Sequence, residues 1–133
     1  MRSVLLDTVG PLALWEDTDQ WHAAAELAMV ALNVPSIRLV TTLFILLVCG
    51  NAASRKPYRS DVDLLRRKMA ADDRLIVPLE SDVAQAWSDY GREGAGGAGI
   101  VDHVSFTVMR RLGITDAFTN DRHFKVAGFN TLF

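Results

Sequence analysis

Cysteine is nearly absent. Cys49 is the only one in 133 residues, so no disulfide forms within the chain, and a reducing, cytoplasmic setting is expected. Net charge is nearly absent too. Lys and Arg total 14 against 16 Asp and Glu, a formal charge of −2. That excludes nucleic-acid binding through bulk positive charge, and any such role must rest on a local patch or on metal ions. Long apolar runs are missing. The least polar stretch, "LFILLVCGNAA" at residues 43 to 53, meets Gly50-Asn51 well short of the roughly 20 residues a membrane span needs, so no membrane role is expected. The amino-terminal "MRSVLLDTVG" has one basic residue and meets Asp7 before any secretory apolar core can form. Repeats and linkers are also lacking, so residues 1–133 read as one domain.

The chain does have apolar content. Half the residues are hydrophobic and 23% are charged, which is globular rather than disordered composition. "SVLL" before Asp7, "IRLVTT" at 37–42, "RLIVPL" at 74–79 and "DAFT" at 116–119 read as short strands, and "FNTLF" as a last one. Between them lie helical patterns. "PLALW" has Pro in its first turn. "DTDQWHAAAELAMVAL" follows, with Asp17 or Asp19 as cap and Trp21, Ala24, Ala25 and Ala28 facing inward. Thr42 caps the helix holding the 43–53 stretch. "SDVDLLRRKMAADD" turns Val62, Leu64 and Leu65 inward. "SDVAQAWSDYGREG" precedes the flexible "GAGGAG" loop, and "DHVSFTVMRRLG" carries a Val104, Val108, Leu112 stripe that Gly113 stops. Strands alternating with helices imply parallel pairing and a three-layer α/β/α sandwich.

Ligands gather beyond the carboxyl ends of strands in an open parallel sheet. Asp7 ends the first strand, Asp121 follows the fourth, and Asp102 opens a helix after the glycine loop. If they meet, mutual repulsion favours a divalent cation, and oxygen ligands suit Mg²⁺ or Mn²⁺. Simpler roles stay open: Asp102 as a helix cap, Asp121 as a turn residue. His22, His103 and His123 lack the paired spacing of a zinc motif. A haloacid dehalogenase reading of "LLDTVG" needs a second acid where Val9 stands, and a receiver-domain reading needs a paired acid near Asp7.

The order and separation of four pieces carry a resemblance: "LLDT" at 5–8, "TT" followed by a helix with "CGNA" at 49–52, "VDHVSFTVMRRLGI" at 101–114, and "FTNDRHF" at 118–124. Over nearly the whole chain the sequence resembles the PIN-domain ribonucleases of the VapC toxin type. The resemblance implies a PIN-like three-layer α/β/α sandwich with a central, mostly parallel sheet. It also implies Mg²⁺- or Mn²⁺-dependent RNA hydrolysis, with Asp7, Asp102 and Asp121 as metal-binding and catalytic acids, and an antitoxin protein as partner. One match fails. The family's Glu directly before "CGN" is Val48 here, which implies an impaired enzyme.

Asp116 is a further acid that could hold a metal-bound water. Thr8, Ser105 and Thr119 stand beside the acids as hydrogen-bonding support, and Asn51 shares a helix face with Val48. Arg55, Lys56 and Arg59 begin a basic run that is either an RNA contact or a solvated face. Tyr58 and Trp87 are read as packed rather than base-stacking. Trp15, Trp21 and Met29, read as exposed apolar side chains, suggest a homodimer. The competing reading is a non-catalytic module that binds RNA or an antitoxin.

Overall fold

The computed structural model describes residues 1–133. Its strands are β1 (Arg2–Leu6), β2 (Ile37–Thr42), β3 (Leu75–Ile76), β4 (Asp116–Phe118) and β5 (Asn130–Thr131). They form one sheet in the order β3-β2-β1-β4-β5. Every pairing is parallel, so the sheet is wholly rather than mostly parallel. The helices are α1 (Val9–Trp15), α2 (His22–Leu32), α3 (Leu43–Ala52), α4 (Arg59–Ala71), α5 (Glu80–Arg92), α6 (Ile100–Leu112) and α7 (Arg122–Val126).

Strand alternation makes the layers. Successive side chains of β1 point to opposite faces. Leu5 joins Val40 and Ala117 in a core with Ile45 and Cys49 of α3, Phe106 and Met109 of α6, and Phe124 of α7. Val4 and Leu6 join the opposite core with Ala13 of α1, Ala25 and Leu32 of α2, and Met69 of α4. Both faces of the sheet are thus covered, as an all-parallel sheet requires. α5 packs outside α6 through Ala86, Val104 and Val108. Gly10 lets α1 lie directly on β4, because a Cβ there would sit 2.6 Å from the Phe118 carbonyl oxygen. No helix is long and apolar enough to cross a membrane.

Several sequence expectations are corrected. The third strand shrinks from 74–79 to two residues, because Pro78 has no N–H to give a ladder. β5 is equally short. α2 starts at His22 rather than Asp17. Asp19 instead accepts the Trp21 amide at 2.7 Å, closing a turn that leaves Trp21 exposed and Ala24 only half-buried. Leu64 lies outward, one residue off the face that Leu65 and Met69 share on α4, and Leu112 lies outward because it ends α6. Trp15 and Met29 are half-buried, Trp15 by stacking on Tyr58 at 5.9 Å. The apolar side chains exposed on α2 are instead Leu27 and Val30. Trp87, expected to be packed, is exposed and meets only the edge of Tyr90.

Candidate active site

The strand order reverses direction at β1. From there the chain goes to β2 on one side, and β4 fills the other. The crevice beyond the carboxyl ends of β1 and β4 is therefore the switch point where a parallel sheet binds ligands. Register places the acids there. Leu6 pairs with Phe118, so the residues just beyond the two strands, Asp7 and Thr119, come side by side. Thr119 donates its hydroxyl to Asp7 Oδ2 at 2.9 Å and accepts the Asp121 amide at 3.1 Å. Asp121 caps α7 by accepting the His123 amide at 2.9 Å. The turn that starts α7 thus also aims the Asp121 carboxylate.

Asp102 arrives from the other side on α6. The cap of that helix is Gly99, and Asp102 stands in the first turn rather than at the cap, where a carboxylate suits the positive end of the helix. It accepts the Gly99 amide and senses the charge of Asp121. One ligand atom from each of Asp102, Asp121 and His123 lies within 4.8 Å of the others. Asp7 is close enough to Asp102 and Asp121 to be raised by both. Asp102 and Asp121 therefore meet with His123, and Asp7 stands near enough to feel both acids.

No arginine or lysine pairs with the three acids, and His123 is the one cationic partner in contact with them. Asp7 is 3% exposed. Burial, then the Asp102 charge, pushes its carboxyl up to about 7, against the opposing Thr119 and Thr8 hydrogen bonds. Asp102 is raised as well, first by burial and then by Asp121. The neighbouring Cys49 thiol, 4.0 Å from the Thr8 carbonyl oxygen, is pushed up to about 12 by burial and then by Asp7. It is a packed thiol, not a nucleophile.

His123 is the residue that sequence reasoning set aside. Its Nδ1 lies 2.9 Å from Asp121 and its Nε2 3.1 Å from the Gly96 carbonyl oxygen, and these two acceptors raise its pKa in the order Gly96, then Asp121. The signal was its spacing, two residues past Asp121, which puts both groups on one helical turn. His103, buried, pairs instead with Glu93, whose carboxylate also accepts the Ala98 amide.

The other expected site residues divide. Thr119 joins the network. Thr8 joins through its backbone N–H. Ser105 is fully buried one turn from Asp102, with no partner for its hydroxyl. Asn51 is exposed and stays out of the network, while Val48 is half-buried on α3. No acid comes from that helix. Asp116 is placed elsewhere. It starts β4 opposite Val4, toward the amino edge, where Arg2 donates to it at 2.6 Å and Asn130 at 2.8 Å. Lys56 reaches Glu16 at 3.4 Å, Arg59 donates to the Ser54 carbonyl at 3.0 Å, and Arg55 is exposed beside them.

The donor set fits a hard divalent cation. It offers carboxylate oxygens and an imidazole, carries net negative charge, and has a buried hydroxyl without a protein partner nearby.

No family model matches the sequence, and no curated protein matches it. Among solved structures, the chain is similar to Mycobacterium tuberculosis VapC20, a sarcin-ricin loop cleaving toxin. The two share 23% identity over 95% of each chain, with a TM-score of 0.79. The fold is the PIN-like three-layer sandwich that the sequence motifs imply.

Proposed function

We propose that this chain is a VapC-type toxin of a toxin–antitoxin pair, a divalent-metal-dependent endoribonuclease whose activity is low as the sequence stands. The observation that carries this reading is the meeting of Asp102 and Asp121, with Asp7 near both, at the switch point of a PIN-like sheet, with no arginine or lysine paired to them. The likeness to VapC20 supports it.

Asp102, Asp121 and His123, whose ligand atoms lie within 4.8 Å of one another, would hold the cation, with Asp7 beside them. A bound Mg²⁺ or Mn²⁺ supplies Lewis acidity to a phosphate oxygen and a low-pKa water at neutral pH. The protein's own part is positioning. Thr119 fixes the Asp7 carboxylate and the Asp121 turn with one hydroxyl. The Thr8 amide adds a second hydrogen bond to Asp7. Ser105, one turn from Asp102 on α6, is fully buried, and its unpartnered hydroxyl would donate to a buried water. Val48 offers no lone pair where the resembled family has a carboxylate, so cation affinity and hydrolysis both fall. An antitoxin partner, a cytoplasmic location and a homodimer belong to the same reading. Exposed Leu27 and Val30 on α2 support a protein contact.

The test is Val48→Glu. Cleavage of a mixed RNA pool by the two proteins is compared with and without EDTA. An EDTA-sensitive gain of at least about tenfold, near 1.4 kcal/mol of transition-state stabilisation, is expected. Equal activity in both would show that the missing carboxylate is immaterial. No cleavage by either, with cation bound in both, would favour the alternative, a non-catalytic module binding RNA or an antitoxin. The absence of any acid on α3 favours that second reading.

A further inference from the structure

Next to the acidic edge lies a cavity of about 340 Å³, between the end of α5, α6 and α7. Its charged and titratable lining is Asp89, Arg92, Glu93, His103, Arg110 and His123. It shares a wall with the acids, because His123 both lines the cavity and touches Asp121. Arg110 stands two turns along α6 from Asp102, about 12 Å away at the helical rise.

Its two guanidinium groups keep free N–H donors. Arg92 is 69% exposed and is held by Asp89, a largely covered carboxylate that also lines the cavity, so a bound phosphate has to share Arg92 with it. Arg110 lies 5.4 Å from the Phe129 ring centroid and 5.9 Å from that of Phe106. Those rings fix its plane. It gives one N–H to the Ala127 carbonyl oxygen at 3.1 Å, and a guanidinium has five. The Glu93 carboxylate, by contrast, is turned inward onto His103 and the Ala98 amide.

We infer that this cavity binds a phosphate of the RNA strand that flanks the one at the acidic edge, gripped between Arg92 and Arg110. The inference rests on the RNA reading above. A strand whose scissile phosphate sits among carboxylates has to carry its neighbouring phosphates past a negative field. Cations just beyond that field offset it, and planar guanidinium groups suit phosphate oxygens in paired hydrogen bonds. The expected basic turn at Arg55, Lys56 and Arg59 is partly occupied by Glu16 and the Ser54 carbonyl.

The test measures binding of a short fluorescein-labelled single-stranded RNA of mixed sequence, by anisotropy in EDTA, so that cleavage plays no part. Arg92→Gln with Arg110→Gln is compared with a charge-matched control, Arg66→Gln with Arg67→Gln. The control residues are paired to Asp63 on α4. The cavity pair should weaken binding about tenfold and lower the salt slope by about one, while the control stays within about twofold. Equal losses in both pairs would overturn the inference. So would loss of a labelled polyglutamate peptide with RNA binding intact, which would assign the cavity to an acidic protein segment. If Arg110→Gln disturbs folding, Arg92→Gln alone carries the test with about a threefold loss expected. Cleavage by Val48→Glu and its loss on adding Asp102→Asn are read separately, so the ribonuclease reading stands or falls on its own.

Discussion

Asp82 and Asp7 show similar exposure, 2% and 3%, but Asp7 lies deep in the fold and Asp82 close to the surface, and they behave oppositely. Arg111 grips both oxygens of Asp82, at 2.9 and 2.8 Å, and the Leu79 amide adds a third hydrogen bond. Those contacts hold its carboxyl below the usual range, with the Arg111 hydrogen bond the largest cause. Asp116 has a similar arrangement, with Arg2 and Asn130. Asp7 has hydroxyl and amide donors only, and two further acids nearby. A buried carboxylate needs a counter-charge or a proton. The fold supplies arginine where an acid ties α5 to α6 or closes the amino edge. At the switch point it supplies none, and the remaining counter-charge has to come from outside the chain. Low exposure alone therefore does not separate structural acids from candidate catalytic ones. Depth and the identity of the partner do.

The largest effect should come from removing the Asp7 charge. Asp7 keeps its proton up to about pH 7 in the folded protein but only to about 3.8 when unfolded. Between those values the native state binds more protons, so metal-free stability falls as pH rises through that window and stays low above it. Asp7→Asn keeps the oxygen that accepts from Thr119 and removes the charge. Without metal at pH 7.5 it should raise stability by roughly 2–4 kcal/mol, with no gain near pH 3. Mn²⁺ should then stabilise the parent protein and not the variant. Denaturant unfolding at both pH values, with and without Mn²⁺, checks this. A variant less stable than its parent at pH 7.5 would contradict it.

The compensated acid should respond with the opposite sign. Asp82→Ala removes a paired Arg111 contact and the bond to the Leu79 amide at the start of α5. Arg111 remains partly solvated, which limits the penalty, so a loss of about 2–3 kcal/mol is expected. The parent pair strengthens the fold above the ordinary Asp range and loses that contribution as pH falls through the depressed value. The gap between variant and parent should therefore narrow in acid, and thermal melts across acidic to neutral pH measure it.

The acid cluster is legible in the sequence, for a local reason, while the Asp82–Arg111 pair, which joins two helices, is not. Asp7 and Asp121 are set by the ends of β1 and by the cap of α7, which short patterns reveal. Asp102 is expected at the helix start, with a cap as its simpler alternative, and the cap is Gly99 instead, because a glycine cap and an aspartate cap look alike when the loop before them is glycine-rich. What stayed hidden depends on register between distant segments. Asp116 looked like a companion of Asp121, five residues away. A three-residue strand separates them instead and puts Asp116 opposite Val4, within reach of Arg2. Asn51 was assigned to the site by helical spacing from Val48, but α3 buries Ile45, Leu46 and Cys49 instead and leaves Asn51 in solvent. A nearly uniformly apolar helix gives spacing arguments nothing to choose between. His123 escaped because a zinc-motif search looks for paired ligands on one helix, and its companions come from α6 and the β4–α7 turn.

Asp116 gives the smallest and most discriminating prediction. As a companion acid of the metal site, its loss would weaken cation binding. As half of an amino-edge ion pair, its loss would touch stability alone. The geometry favours the second outcome, since both of its oxygens are already taken by Arg2 and Asn130. Arg2 is half-exposed, so the pair is partly screened and contributes about 1 kcal/mol or less. In Asp116→Asn the amide oxygen can still accept from one of the two partners, which limits the loss further. The expected result is a small drop in melting temperature that shrinks in high salt, with Mn²⁺ affinity unchanged by titration calorimetry. Asp121→Asn, only five residues on, should weaken Mn²⁺ binding clearly in the same experiment. Equal loss of Mn²⁺ affinity in the two variants would erase the distinction between the two ends of the sheet.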